Sequence, residues 1–153
     1  MKNFSLLILL AGIFLMSCGG GSTETAEEAT EAPKSMLAEK QDPMENIGIG
    51  PITSLDLPDE IDEEMVKAGE AVYVQMCTAC HKAEKKFIGP SPKGILERRS
   101  PEWVMNMILN PEEMIMKDPI AKALLMEYNG APMANQNLTE EQARQVLEYF
   151  RTL

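Results

Sequence analysis

Two cysteines spaced by two residues and followed at once by histidine, Cys77-Thr78-Ala79-Cys80-His81, form the densest group of chemically active side chains in this chain. His81 is also the only histidine among 153 residues. Such a group can bind a metal ion, exchange a disulfide, or carry a haem. Zinc takes about four ligands, usually from two such cysteine pairs or one pair with two histidines, and two thiols with one imidazole fall short. A thioredoxin-like redox pair follows a strand in an α/β fold, and no strand pattern precedes Cys77. Haem attachment uses every residue of the group: Cys77 and Cys80 add to the two vinyl groups as thioethers, and His81 ligates the iron.

The start of the chain sets the compartment. Lys2 precedes an apolar run from Leu6 to Met16, too short for a comfortable permanent span and typical of an export signal. The run ends in Leu15-Met16-Ser17-Cys18, which resembles the lipobox of bacterial lipoproteins. On that reading residues 1–17 are a lipoprotein signal peptide, Cys18 carries the lipid, and the protein is exported to the periplasmic side and anchored to a bacterial membrane. The alternative is an ordinary signal peptide that contains a cysteine. An exported CxxC pair tends to oxidise or exchange unless its sulfurs are engaged, and thioethers do not exchange.

Residues 18–60 read as the lipidated cysteine and an acidic linker. From Gly19 to Glu60 there are ten acidic residues against two lysines and no aromatic. Such a stretch buries too little apolar surface to offset its ordering entropy. One part, "IGIGPITSLDL" at 47–57, regains apolar side chains and is expected to lie as a collar on the folded domain. The chain's net charge of −10 comes mostly from this linker. Residues 61–153 are nearly balanced, with 14 acids and 11 bases, so acidity points neither to nucleic acid nor to any other partner.

The elements that must position the motif are helical. "IDEEMVKAGEAVYVQMC" opens with three acids and sets Met65, Ala68, Val72 and Met76 at helical spacing. Ser100-Pro101-Glu102 starts a second helix carrying Trp103, Met107 and Ile108, and Asn110-Pro111 and Asp118-Pro119 repeat that cap-then-proline pattern. "LTEEQARQVLEYFRTL" places Thr139 as cap with Gln142 completing a capping box, and Ala143, Val146, Leu147 and Phe150 on one stripe. The predicted class is all-α, in one small domain over 61–153. Few large aromatic or aliphatic residues are available per helix, which leaves room for a flat apolar group between them.

At these residues the chain resembles the class I cytochromes c. "AGEAVYVQMCTACH" is similar to the family's first helix, "IGPSPKGI" to its Gly-Pro-x-x-x-Gly loop, and "LTEEQARQVLEYFRTL" to its last helix. The middle segment is less standard, and its flavour resembles lipid-anchored monohaem cytochromes of the Bacteroidetes type. The resemblance implies a small helical domain wrapped around one covalent haem c, with Gly69 at the crossing of first and last helices near Val146 and Tyr149. It implies that the Pro90 carbonyl accepts the proton of the axial imidazole, the alternative being a simple turn proline. It also implies a methionine as second axial ligand. Met133, in the loop before the last helix, occupies the matching position, although Pro132 precedes it where the family commonly has a proline after; Met114, Met116 or a non-sulfur site are the alternatives. Met65, Met76, Met105, Met107 and Met126 read as packing filler. Trp103 is offered as a haem-propionate donor or as core, and Arg98 and Arg99 as propionate neutralisers or solvated cations.

The function these residues imply is that of a one-electron carrier between membrane-associated and periplasmic redox proteins, with no small-molecule substrate. Six bases against two acids between Lys82 and Arg99 suit an acidic redox partner, or are an ordinary solvated surface. Two other readings are an electron-entry subunit fixed to one reductase or oxidase, and a five-coordinate haem peroxidase or gas sensor. The last needs an open distal site and an acid–base group there, and the sole histidine is already used.

Overall fold

The computed structural model describes residues 42–153. They form five helices: α1 (Glu63–Met76), α2 (Pro101–Leu109), α3 (Pro111–Lys117), α4 (Pro119–Glu127) and α5 (Glu140–Phe150). A 3-10 turn, Ile95–Glu97, precedes α2. Among the described residues the only β pairing is an isolated bridge between Lys82 and Lys85, so the domain is all-α as the periodicity predicts. No described helix is long and apolar enough to cross a membrane. The export signal and Cys18 lie outside the described residues.

The predicted caps form because short polar side chains satisfy the first free amides of each helix. Asp62 Oδ1 accepts from the amides of Glu64 and Met65 at 2.9 and 3.0 Å. Ser100 Oγ accepts from Trp103 N, Asp118 Oδ1 from Ala121 N, and Thr139 and Gln142 close a capping box. Asn110 differs. Its side chain makes no cap of α3 and donates instead to the Ile49 carbonyl and to Glu113 Oε2.

The first and last helices cross backbone to backbone at Gly69. A Cβ at that position would stand 1.9 Å from the Gln145 carbonyl oxygen and 2.9 Å from Val146 N, so no larger residue fits. One turn on, Tyr73 meets Tyr149 with ring centres 5.4 Å apart and Phe150 edge-on at 5.7 Å. The remaining core comes from α2, α3, α4 and α5, through Trp103, Val104, Met105, Ile108, Met114, Ala121, Val146 and Leu147.

The expected collar is present and longer than composition suggested. Residues 42–60, read as the end of the linker, form a strap on the helices. Ile52 is buried, and Ile49, Leu55 and Leu57 pack on the core. Asn106 secures the strap's middle: its Oδ1 accepts from Ile52 N at 2.9 Å, and its Nδ2 donates to the carbonyls of Ile47 and Ile52. Asn46 donates to Asp118 Oδ2 at 2.6 Å, while its carbonyl accepts from Ser100 Oγ. At the other end Arg151 donates to the carbonyls of Pro58, Asp59 and Glu60, and buried Glu148 accepts from Asp62 N. Composition alone assigned this stretch to the linker because the groups that hold it lie in distant elements, 47 or more residues along the chain.

Candidate functional site

The last turn of α1 delivers the motif. The Cys77 amide donates to the Tyr73 carbonyl, and the Cys77 carbonyl accepts from the amides of Cys80 and His81 at 3.1 and 2.9 Å. That double acceptance turns the chain sharply, so the two thiols and the imidazole leave one compact turn. Thr78 Oγ1 donates to the Val74 carbonyl, and Lys82 Nζ to the Thr78 carbonyl. Cys77 is half-buried, Cys80 is exposed, and both are free thiols. Burial first and the Cys80 sulfur second push the Cys77 thiol up to about 11.

The following loop orients the imidazole. His81 Nδ1 lies 2.8 Å from the Pro90 carbonyl oxygen. A carbonyl can only accept, so Nδ1 carries the proton and the lone pair resides on Nε2, the tautomer a metal ligand requires. Gly89 packs against the ring: a Cβ there would meet His81 Cε1 at 2.5 Å. The Gly89 amide donates to the Cys80 carbonyl, and Ser91 Oγ and the Lys93 amide to the Ala83 carbonyl, tying the loop to the turn. Gly94, at φ +62°, then starts the 3-10 turn in a conformation glycine adopts without strain.

The methionines separate into distinct environments. Met133 sits in the irregular segment between α4 and α5, which Asn129 and Gly130 enter with positive φ. Residues 129–132 and 134 are exposed, whereas Met133 turns inward against the core. Met114 is fully buried, and its sulfur lies 2.9 Å from the Ile49 amide, so the strap has taken it up. Met116 is 59 % exposed and Met126 76 % exposed, so Met126 is no packing filler; it lies on the outer face of α4.

Trp103 departs from its propionate role. Its indole N–H donates to Asp118 Oδ1 at 3.1 Å, which leaves the ring as core and as the platform for Arg99, whose guanidinium lies 5.3 Å from the ring centre. Arg99 keeps Nε buried without a partner. Burial, then the neighbouring Arg98, pull its pKa below the usual arginine value, against the opposing pull of Asp118 and Glu127. Arg98 is exposed and donates to the Ser91 carbonyl. The Tyr73 hydroxyl is likewise buried and unpartnered, and burial is the main reason its pKa rises to about 12.

This set of donors fits a covalently held haem. Two free thiols and a pre-oriented imidazole share one turn, and Arg99 keeps a buried cationic nitrogen with no partner, as a propionate would require. No group of three His, Cys, Asp or Glu side chains among the described residues suits a metal ion bound by protein alone. A separate open cleft of about 530 Å³, lined by Lys93, Leu96, Arg98, Phe150 and Leu153 among others, contains none of the motif's residues. Sequence reasoning placed Gly89 in the Gly-Pro loop without its contact on the imidazole, and it foresaw only the 47–57 part of the strap.

The family described as Cytochrome c matches residues 66–153. Among solved structures, cytochrome c from Rhodothermus marinus is 42% identical, with TM-score 0.65, over 67% of this chain and 88% of that one. An engineered form of the Rhodothermus marinus protein, bound to a carbene intermediate, is 41% identical with TM-score 0.62, over 67% of this chain and 88% of its own. The cytochrome c domain of the pp3183 protein from Pseudomonas putida shares the fold at 24% identity and TM-score 0.50, over 55% of this chain and 85% of that one. No curated protein matches the chain.

Proposed function

The chain belongs to the cytochrome c family and binds one covalent haem c, and from that premise we propose a one-electron carrier with His81 and Met133 as the two axial ligands. The haem, when bound, supplies one-electron cycling between ferric and ferrous iron. Cys77 and Cys80 hold it as thioethers. His81 presents Nε2 while Pro90 retains the proton on Nδ1, which keeps the imidazole neutral and correctly turned. Arg99 compensates a propionate beside Trp103. Met133, which turns inward against the core while residues 129–132 and 134 are exposed, would supply the second ligand.

The observation that carries this reading is the His81–Pro90 bond beside two free thiols, an arrangement that makes a ligand and its covalent tether within residues 77–90. The test is the optical spectrum of the oxidised holoprotein. A low-spin spectrum with the weak long-wavelength band of methionine–iron ligation is expected, and Met133→Ala should remove that band. A high-spin spectrum with rapid cyanide binding in the unmodified protein would instead identify an open site, and the carrier reading would fail.

Its partners are redox proteins. The face beside the motif exposes Phe87 and Ile88 among Lys82, Lys85 and Lys86, and it suits a partner with an acidic rim. Electron exchange with such a partner slows as ionic strength rises. Export and lipid anchoring rest on Lys2, the Leu6–Met16 run and Cys18, outside the described residues. Intact mass of the mature protein is the check. A chain starting at Cys18 and carrying acyl groups plus one haem is expected, and an unlipidated start elsewhere would rule the anchor out.

A further inference from the structure

Two parts of the chain adjoin the residues assigned as ligands. One is the loop 82–90, tied to the cysteine turn through the Gly89 amide and the Cys80 carbonyl. The other is the end of α4, where the amides of Tyr128 and Gly130 donate to Leu124 and Leu125 before Asn129 and Gly130 turn the chain into the segment that bears Met133. Among the described residues no hydrogen bond joins 77–92 to 119–138. Lys86 makes the charged contacts between them. Its Nζ lies 4.1 Å from the centre of the Tyr128 ring and 3.9 Å from Glu127 Oε1.

We infer that Lys86 is a positioning residue: it clasps the Met133 segment to the His81 loop through Tyr128 and Glu127, and so restrains the methionine ligand from leaving the iron. The inference rests on the assignment of Met133 as ligand. Its logic is one of leverage. Tyr128 stands five residues before Met133, and Lys86 five residues after His81, so a contact there acts on both ligand-bearing segments. Lys82 is a contrast within the same loop. Its Nζ lies 5.0 Å from the Phe87 ring and bonds the Thr78 carbonyl, so it braces the loop internally and reaches nothing on α4.

Replacement of an axial ligand passes through a local opening of the segment that carries it, so the clasp is read in the exchange rate rather than in global unfolding. The side chains of Lys86 and Glu127 are both more than half exposed, which keeps the pair weak and the expected change modest. Holoprotein in the ferric state is mixed with imidazole, and loss of the methionine–iron band is followed in time. Lys86→Ala and Tyr128→Leu are each expected to accelerate displacement by about fivefold, the size a surface cation–ring contact and ion pair allow. The double variant should be no faster than about the faster single one, because both remove the same contact. Lys86→Arg should restore a rate close to that of the unmodified protein.

Unchanged rates in Lys86→Ala, or effects that multiply in the double variant, would overturn the clasp. Met133→Ala, measured in parallel, separates the two claims. If it keeps the methionine band, the ligand assignment is wrong and the clasp falls with it. If the band is lost while Lys86→Ala is silent, the ligand stands and only the clasp is refuted. Lys82→Ala serves as the control and should leave the displacement rate unchanged.

Discussion

The turn and loop at 77–94 and the strap at 42–62 are both irregular backbone, yet they are held in opposite ways. The turn is built from near neighbours: Cys77 to His81, Cys80 to Gly89, His81 to Pro90. It leaves reactive atoms unengaged, namely two thiols and the imidazole Nε2, and the adjoining residues add Arg99 Nε and the Tyr73 hydroxyl. The strap is built from partners 47 to 93 residues away, and its buried polar groups are bonded: Asn46 to Asp118, Ser100 to Asn46, Arg151 to Pro58. The difference separates a site from a scaffold. Buried polar groups left without partners are costly unless something arrives to meet them, whereas a scaffold must satisfy its own.

That contrast can be broken from the scaffold side first. Asn106→Ala removes the three hydrogen bonds that hold Ile47 and Ile52, and it leaves their backbone groups beside a new gap. A loss of about 2–3 kcal/mol is expected. Chemical denaturation should report it, and amides 47–57 should exchange with solvent faster while the His81 environment stays unchanged. If the haem spectrum shifts as much as the strap loosens, the two regions are not separable.

A smaller effect is expected at the strap's other end. Burial by itself would raise the pKa of Glu148, but the Asp62 amide, Arg144 and Arg151 outweigh it, and the carboxyl titrates below its usual range. Its contribution is therefore complete above the unfolded value of about 4.3 and disappears as the pH falls through the depressed folded value. Glu148→Gln should cost about 1–2 kcal/mol at neutral pH and flatten the acid limb of the stability profile. A stability–pH curve that keeps its acid slope in the variant would show that another carboxylate sets it.

The smallest change in stability sharpens the comparison from the site side. Gly89→Ala places a methyl against the imidazole, where 2.5 Å separates it from Cε1. About 1 kcal/mol of destabilisation is expected. The reduction potential and the axial-ligand spectrum should nevertheless move, because the His81 ring must tilt away from Pro90. An unaltered potential would mean that the loop yields and the ring does not.

Much of this was legible in the residues. Helix starts at Asp62, Ser100, Asp118 and Thr139 follow from capping, a local contest between side chain and first-turn amides, and each was readable within four residues. The cysteine turn with its Pro90 acceptor was readable for a similar reason, since only nine residues separate His81 from Pro90. Gly69 needed the family resemblance, because a glycine inside a helix has no local signature of close crossing. The partner of Trp103, the diversion of Asn110 from capping to the strap, and the burial of Met114 against the exposure of Met126 were not legible. Each depends on which distant backbone arrives at the same place.

By itself, then, the sequence determined the chemistry of this protein: paired thiols, a single imidazole, the helices that carry them, and hence a covalent haem, since these follow from short-range spacing. Only the tertiary structure decided what surrounds that chemistry. The strap's membership in the fold, the assignment of Asp118 to Trp103 and of the Met114 sulfur to Ile49, and the meeting of Lys86 with Tyr128 arise from contacts across many tens of residues, where packing and polar satisfaction choose among partners that composition leaves equivalent.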